Sequence, residues 1–109
     1  MSLIYGIDVT KEITPKIAVE ALTNCFFEAH CKQTDLAPEL GENSEVNKNY
    51  CVEIIKKAFF ETGGDIENPT KDSVIKTLPW LAEFSKKFRD QEIIEKHMTQ
   101  ITKIIQLIK

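Results

Sequence analysis

Apolar side chains return every three or four residues along most of this chain, and that rhythm predicts helices. After Pro15 they fall at Ala18, Leu22, Cys25, Phe26 and Ala29, the period of a helix with one buried face. Thr14 is placed to cap its start, and Pro15 suits the first helical position, where a missing N–H costs nothing. This first helix should fade near Cys31 or Lys32. The polar, acidic run "KQTDLAPELGENSE" follows as the longest connection, with room for a helical turn.

A second helix begins near Asn43 or Ser44. Cys51, Ile55 and Ala58 form its stripe, widened by Val52, Ile54 and Phe59. Gly63 and Gly64 end it, since glycine readily takes the left-handed conformation that closes a helix. Asn68 and Pro69 then repeat the cap-and-proline device of Thr14 and Pro15. The third helix covers "TKDSVIKTLPWLAEFSKKFR", with Val74, Leu78, Leu81, Phe84 and Phe88 inward. Pro79 lies in its middle, where it deletes a hydrogen bond and crowds the preceding turn. A kink, or two short helices meeting near Leu78, is expected.

The fourth helix starts at an Asp90 cap and reaches the C-terminus. Ile94, Met98, Ile101, Ile105 and Ile108 repeat as a heptad seam. Ile93, His97, Ile104 and Leu107 widen that seam beyond what one neighbouring helix covers. Glu92 and Glu95 near its start, and Lys103 and Lys109 near its end, suit the helix dipole.

Before the first helix, "LIYGIDV" is apolar, β-branched and too short for a helix. It reads as an extended arm, or as a strand whose partner lies in another subunit, because no second strand is evident. The expected fold is therefore one all-α domain. An extended arm (1–12) precedes a four-helix antiparallel bundle (13–109) whose third helix is kinked or split at Pro79. "VEALTNCFFE" from Val19 and "VEIIKKAFFE" from Val52 echo each other at an offset of thirty-three residues. Two copies do not make a solenoid, so the echo reads as likeness between amphipathic helices.

Composition narrows the function. The 109 residues are 42% hydrophobic and 28% charged, an ordinary balance for a folded domain. No window is long and apolar enough for a membrane helix. The N-terminus lacks the basic and apolar regions of a cleaved signal peptide, and three cysteines, an odd number, suit a reducing compartment. A cytoplasmic protein is expected. Net charge is −3 overall, but 1–70 is acidic and 71–109 is basic. An acidic whole speaks against general nucleic-acid binding. The basic half leaves one alternative, a nucleic-acid-binding regulator using Lys86, Lys87, Arg89 and Lys96. The helix after Asp90 opens with Gln91, Glu92 and Glu95, which would face phosphates unfavourably.

"NCFFEAHC", Asn24 to Cys31, is the densest concentration of reactive side chains. Cys25 and Cys31 lie about 120° apart on a helical wheel, and neither belongs to the paired-cysteine spacing of a zinc site. A metal or thiol site could still be assembled across helices from Cys25, Cys51 and His97. Packing is the stronger reading, since free cysteine behaves as a small buried hydrophobe. His30 reads as a helix-end residue and His97 as one at the core boundary. No Glu-x-x-His supports a di-iron centre. "GGDIENPTK" lacks both the phosphate-loop ending and the calcium-loop spacing, and reads as a polar turn. No nucleophile signature appears. No catalysis and no cofactor are expected.

What remains is surface. Adjacent phenylalanines on a helix point about 100° apart, so Phe26-Phe27 and Phe59-Phe60 cannot all enter one core. The expected function is a helical protein–protein interaction module, a dimeric adaptor or a subunit of a larger assembly. Phe27, Phe60, Ile93, Ile104 and Leu107 are its candidate interface residues. On this reading, Ile104→Glu shifts the oligomeric state and leaves helicity intact.

Overall fold

The Thr14 hydroxyl accepts the backbone N–H of Ile17 at 3.2 Å and opens helix α1, Pro15–His30. In the computed structural model, residues 3–30, 44–87 and 89–108 are described, except for the side chains of residues 30 and 44–47. The expectations for His30 as a helix-end side chain, for 31–43, and for Phe88 and Lys109 lie outside that description. Three further helices follow: α2 (Ser44–Glu61), α3 (Lys71–Ser85) and α4 (Gln91–Gln106). Neighbouring helices pack α1 on α2, α2 on α3, α3 on α4 and α4 on α1, while α1 and α3 touch across the middle. This is the expected four-helix bundle.

The stripes go where their period sends them. Ala18, Leu22, Cys25, Phe26 and Ala29 are buried on α1, as are Cys51, Ile55, Ala58 and Phe59 on α2. Val74 and Leu81 from α3, with Ile94, Ile101, Ile104 and Ile105 from α4, close the core. Buried hydroxyls bond back to their own helices: Thr77 Oγ1 donates to the Val74 carbonyl at 2.6 Å and Thr23 Oγ1 to that of Val19 at 3.0 Å. They therefore add no unpaired polar group to the interior.

Helix α2 ends in a Schellman motif. Gly64 N–H reaches the Phe59 carbonyl at 2.8 Å and Gly63 N–H that of Phe60 at 3.2 Å, with Gly63 at φ +81°. Glycine meets the left-handed requirement without a Cβ clash.

Three expectations are revised. Helix α3 is capped by Thr70, not Asn68. Ser73 N–H donates to Thr70 Oγ1 at 3.0 Å and Thr70 N–H to Ser73 Oγ at 2.8 Å, a reciprocal capping box. Asn68 instead closes the preceding turn on Asp65, through its amide at 3.1 Å. That amide, with the Glu67 N–H at 3.0 Å, holds the Asp65 carboxyl below its ordinary range. Thr70→Ala is expected to lower stability by about 1 kcal/mol, read as a shifted urea midpoint with an unchanged slope.

Of the two outcomes expected for helix α3 at Pro79, a kink or a split, the split does not occur. The segment runs as one 15-residue helix through Pro79. Both Pro79 and Ile75, whose carbonyl loses its partner, lie on the exposed side, where water can take up the freed acceptor.

The N-terminal arm is a hairpin, so its strand partner lies within the same chain. Strands β1 (Leu3–Ile4) and β2 (Ile7–Asp8) pair antiparallel, Leu3 with Asp8 and Ile4 with Ile7. The two-residue turn is Tyr5-Gly6, with φ +52° and +75°. Two positive values are the mark of a type I′ turn, whose twist matches the strands. Beyond the hairpin, Ile13 forms an isolated parallel bridge with Ile108. Lys71 Nζ donates to the Ile108 carbonyl at 3.0 Å. α4 therefore stops at Gln106, with Leu107 as its cap, and Ile108 ties the arm to the bundle.

Candidate functional site

Two regions hold the side chains that could act. The first is an open groove along α2. Val52, Lys56 and Phe60 follow one another at four-residue steps on its outer face. Half-buried Ile66, from the turn after α2, sits between two concavities. One, of about 610 Å³, is lined by Val19, Glu20, Asn24, Lys48 and Val52. The other, of about 460 Å³, is lined by Lys56, Phe59, Phe60 and Glu67. Phe60 stands at the lip and is 81% exposed. The floor is apolar and the rim carries both signs of charge. That composition resembles a protein interface, with an apolar centre and a polar rim, more than a track for a phosphate backbone.

The second region is a buried cluster beneath the hairpin. Tyr5 Oη lies 2.7 Å from His97 Nδ1 on α4, and the two rings stack at 5.9 Å. Asn24 Nδ2, from α1, donates to the Tyr5 carbonyl at 2.8 Å. Cys25 Sγ points at the His97 carbonyl, 3.9 Å away. Burial pushes the Cys25 thiol up to about 12. Burial likewise drives the Tyr5 hydroxyl well above its ordinary range and holds His97 below its own. All three groups are thus neutral near pH 7. A protonated thiol is no nucleophile, so this cluster can fasten the hairpin but is not set up for thiol chemistry.

The predicted residues separate accordingly. Among the interface candidates, Phe60 is fully displayed and Leu107 is 45% exposed, while Phe27 and Ile93 are half-buried. Ile104 is corrected: it is 0% exposed and belongs to the core. Helix α4 meets both α1 and α3, and with two neighbours the widened seam is covered at Ile104 while Leu107 stays exposed. Of the metal candidates, Cys25 and His97 meet, but the His97 Nδ1 is taken by Tyr5. Cys25, Cys51 and His97 do not form a group able to hold an ion among the described residues.

The basic candidates differ in their surroundings. Arg89 Nε donates to the Ala29 carbonyl at 2.8 Å, joining the last turn of α1, where orphan acceptors and the helix dipole favour a cation. Lys86 pairs with Glu83 at 3.1 Å, Lys87 lies 6.0 Å from the centre of the Phe84 ring, and Lys96 is exposed.

A cleft between α1, α3 and α4 is lined by Leu22, Phe26, Leu81, Ile94 and Met98, but its free volume is only about 20 Å³. That admits about one water, far less than a small-molecule site needs. Sequence reasoning missed Tyr5 and Asn24. The signal was "YG" between Ile4 and Ile7, a two-residue turn that would have carried Tyr5 onto the bundle. No helix among the described residues is long and apolar enough to cross a membrane. Comparison with family models, curated proteins and solved structures yields no match.

Proposed function

We propose that this chain is a cytoplasmic helical protein–protein interaction module with no catalysis of its own. It acts as a dimeric adaptor or as a subunit of a larger assembly, through the groove along α2. The observation that carries the reading is Phe60. A phenylalanine ring that is 81% exposed, beside apolar Ile66 and a rim of mixed charge, gains most by entering a partner's surface. Aromatic anchors dominate such interfaces, and burying one ring removes a large apolar area from water. Buried Cys25, which forms no disulfide, supports the reducing compartment.

Self-association is the first case to test. Light scattering should give twice the 12.5 kDa chain mass for the wild type and the single-chain mass for Phe60→Ser, with identical circular dichroism. A wild type of single-chain mass would refute the dimer, and equal masses for both proteins would refute Phe60 as the contact.

A further inference from the structure

We propose that the N-terminal hairpin is a pH-sensitive latch, closed over α1 and α4 by the Tyr5 hydroxyl on neutral His97 and released when His97 takes a proton. Two strands of two residues do not hold together by themselves. Residues 3–8 keep their place through contacts with the bundle: the Asn24 amide on the Tyr5 carbonyl, the Tyr5 ring against His97, and buried Ile7. Tyr5 also carries φ +52°, an unfavourable conformation for a residue with a Cβ, which persists only where surrounding contacts impose it. The hairpin is thus a loaded element held by few bonds, and one of these depends on an imidazole.

The direction of that bond decides the switch. The Tyr5 O–H has its one close oxygen or nitrogen acceptor in His97 Nδ1, at 2.7 Å against 3.5 Å for the His97 carbonyl, so we assign the bond with Nδ1 accepting and the ring proton on Nε2. In the imidazolium, both ring nitrogens donate, so Tyr5 Oη must turn to accept. Its own hydrogen is then left with the His97 carbonyl at 3.5 Å, too far for a good O–H···O bond, or with the weakly accepting Cys25 sulfur beneath it. Tyrosine cannot relieve this by ionising, because its surroundings disfavour the phenolate.

The charges around the ring come from every side. Glu28 on α1 favours the cation, Lys96 on α4 opposes it, and Arg89, before α4, lines the cleft that His97 also lines. Burial is the largest influence and sets the sign: the closed state prefers neutral His97. Closure is therefore fully favoured above the ordinary histidine value of 6.5 and weakens as pH falls through it toward the lower value of the closed form.

Cys25 reports on the latch because its thiol meets the Tyr5 hydroxyl and the His97 carbonyl and is 4% exposed, whereas Cys51 is 0% exposed in the α2 stripe. Dithiodipyridine reacts with thiols in acid as well as at neutral pH. Rates at each cysteine, resolved by peptide mass mapping, are divided by those of the denatured chain at the same pH. The protection of Cys25 should fall about tenfold from about pH 7.5 to about pH 5.5, while that of Cys51 holds. His97→Gln, which keeps an acceptor but does not titrate, should abolish the fall. So should Tyr5→Phe, with Cys25 less protected at every pH. Constant protection of Cys25 in the wild type would overturn the latch. Loss of Cys25 and Cys51 protection together, or an acid response that survives in either variant, would overturn it equally.

Discussion

Ile104→Glu is expected to unfold the bundle. At 0% exposure Ile104 is enclosed by the α4 seam and its two neighbouring helices, so a glutamate there either buries an unpaired carboxylate or forces the helices apart. An uncompensated buried charge costs about 3–5 kcal/mol, a large part of the roughly 5–15 kcal/mol that holds a domain of this size together. Thermal melting should show a midpoint lower by at least about 12 °C, or no folded baseline. Leu107→Glu, at the exposed cap of the same helix, should stay within about 0.5 kcal/mol of wild type. If Ile104→Glu melted like the wild type and only its mass in solution changed, Ile104 would have to face outward and α4 would have to pack through a different face.

The second large effect separates two adjacent rings. Phe59→Ala should cost about 3–5 kcal/mol and Phe60→Ala less than about 0.5 kcal/mol, measured by urea unfolding at chain concentrations low enough to keep the protein monomeric. Phe59 is 1% exposed and sits under the turn that ends α2. A Cβ at Gly64 would stand 3.0 Å from its Cδ1, and the Gly64 N–H bonds its carbonyl. Removing the ring therefore leaves a cavity that the turn, held by its own hydrogen bonds, closes poorly. Phe60 points to solvent, so its loss removes little native contact. Similar costs at the two sites would mean that Phe60 is packed, which would also remove the main support for the α2 groove as a binding surface.

The same doublet shows how far the sequence could be read. The echo between α1 and α2 aligns Phe26 with Phe59, both buried, and Phe27 with Phe60, one half-buried and the other displayed. Periodicity distinguishes inward from outward within each helix, because one residue is one step of rotation. It cannot distinguish Phe27 from Phe60, because that depends on what lies beside each helix. The cap of α3 differs from its expected place for a local reason. Asn68-Pro69 resembles the Thr14-Pro15 start, but the side-chain bonds that Thr70 and Ser73 exchange fix the helix two residues later. At Pro79 the cost of the lost bond is legible in the sequence, but the exposure of that side of the helix, which lowers it, is not.

Of the candidate site, Phe60 is legible in the sequence, whereas the burial of Ile104 and the role of Tyr5 are not. Tyr5 and His97 are ninety-two positions apart in the chain. Nothing in a local pattern joins two residues at that separation. The sequence alone determined four amphipathic helices, most of their ends, and the side of each that excludes water, because turn chemistry and helical period act over a few residues. Only the tertiary structure decided that α4 is covered on two sides, that the arm folds back on itself, and that a tyrosine hydroxyl meets an imidazole beneath it. Those outcomes depend on which surfaces the assembled helices leave open, and that is a property of the whole chain in space.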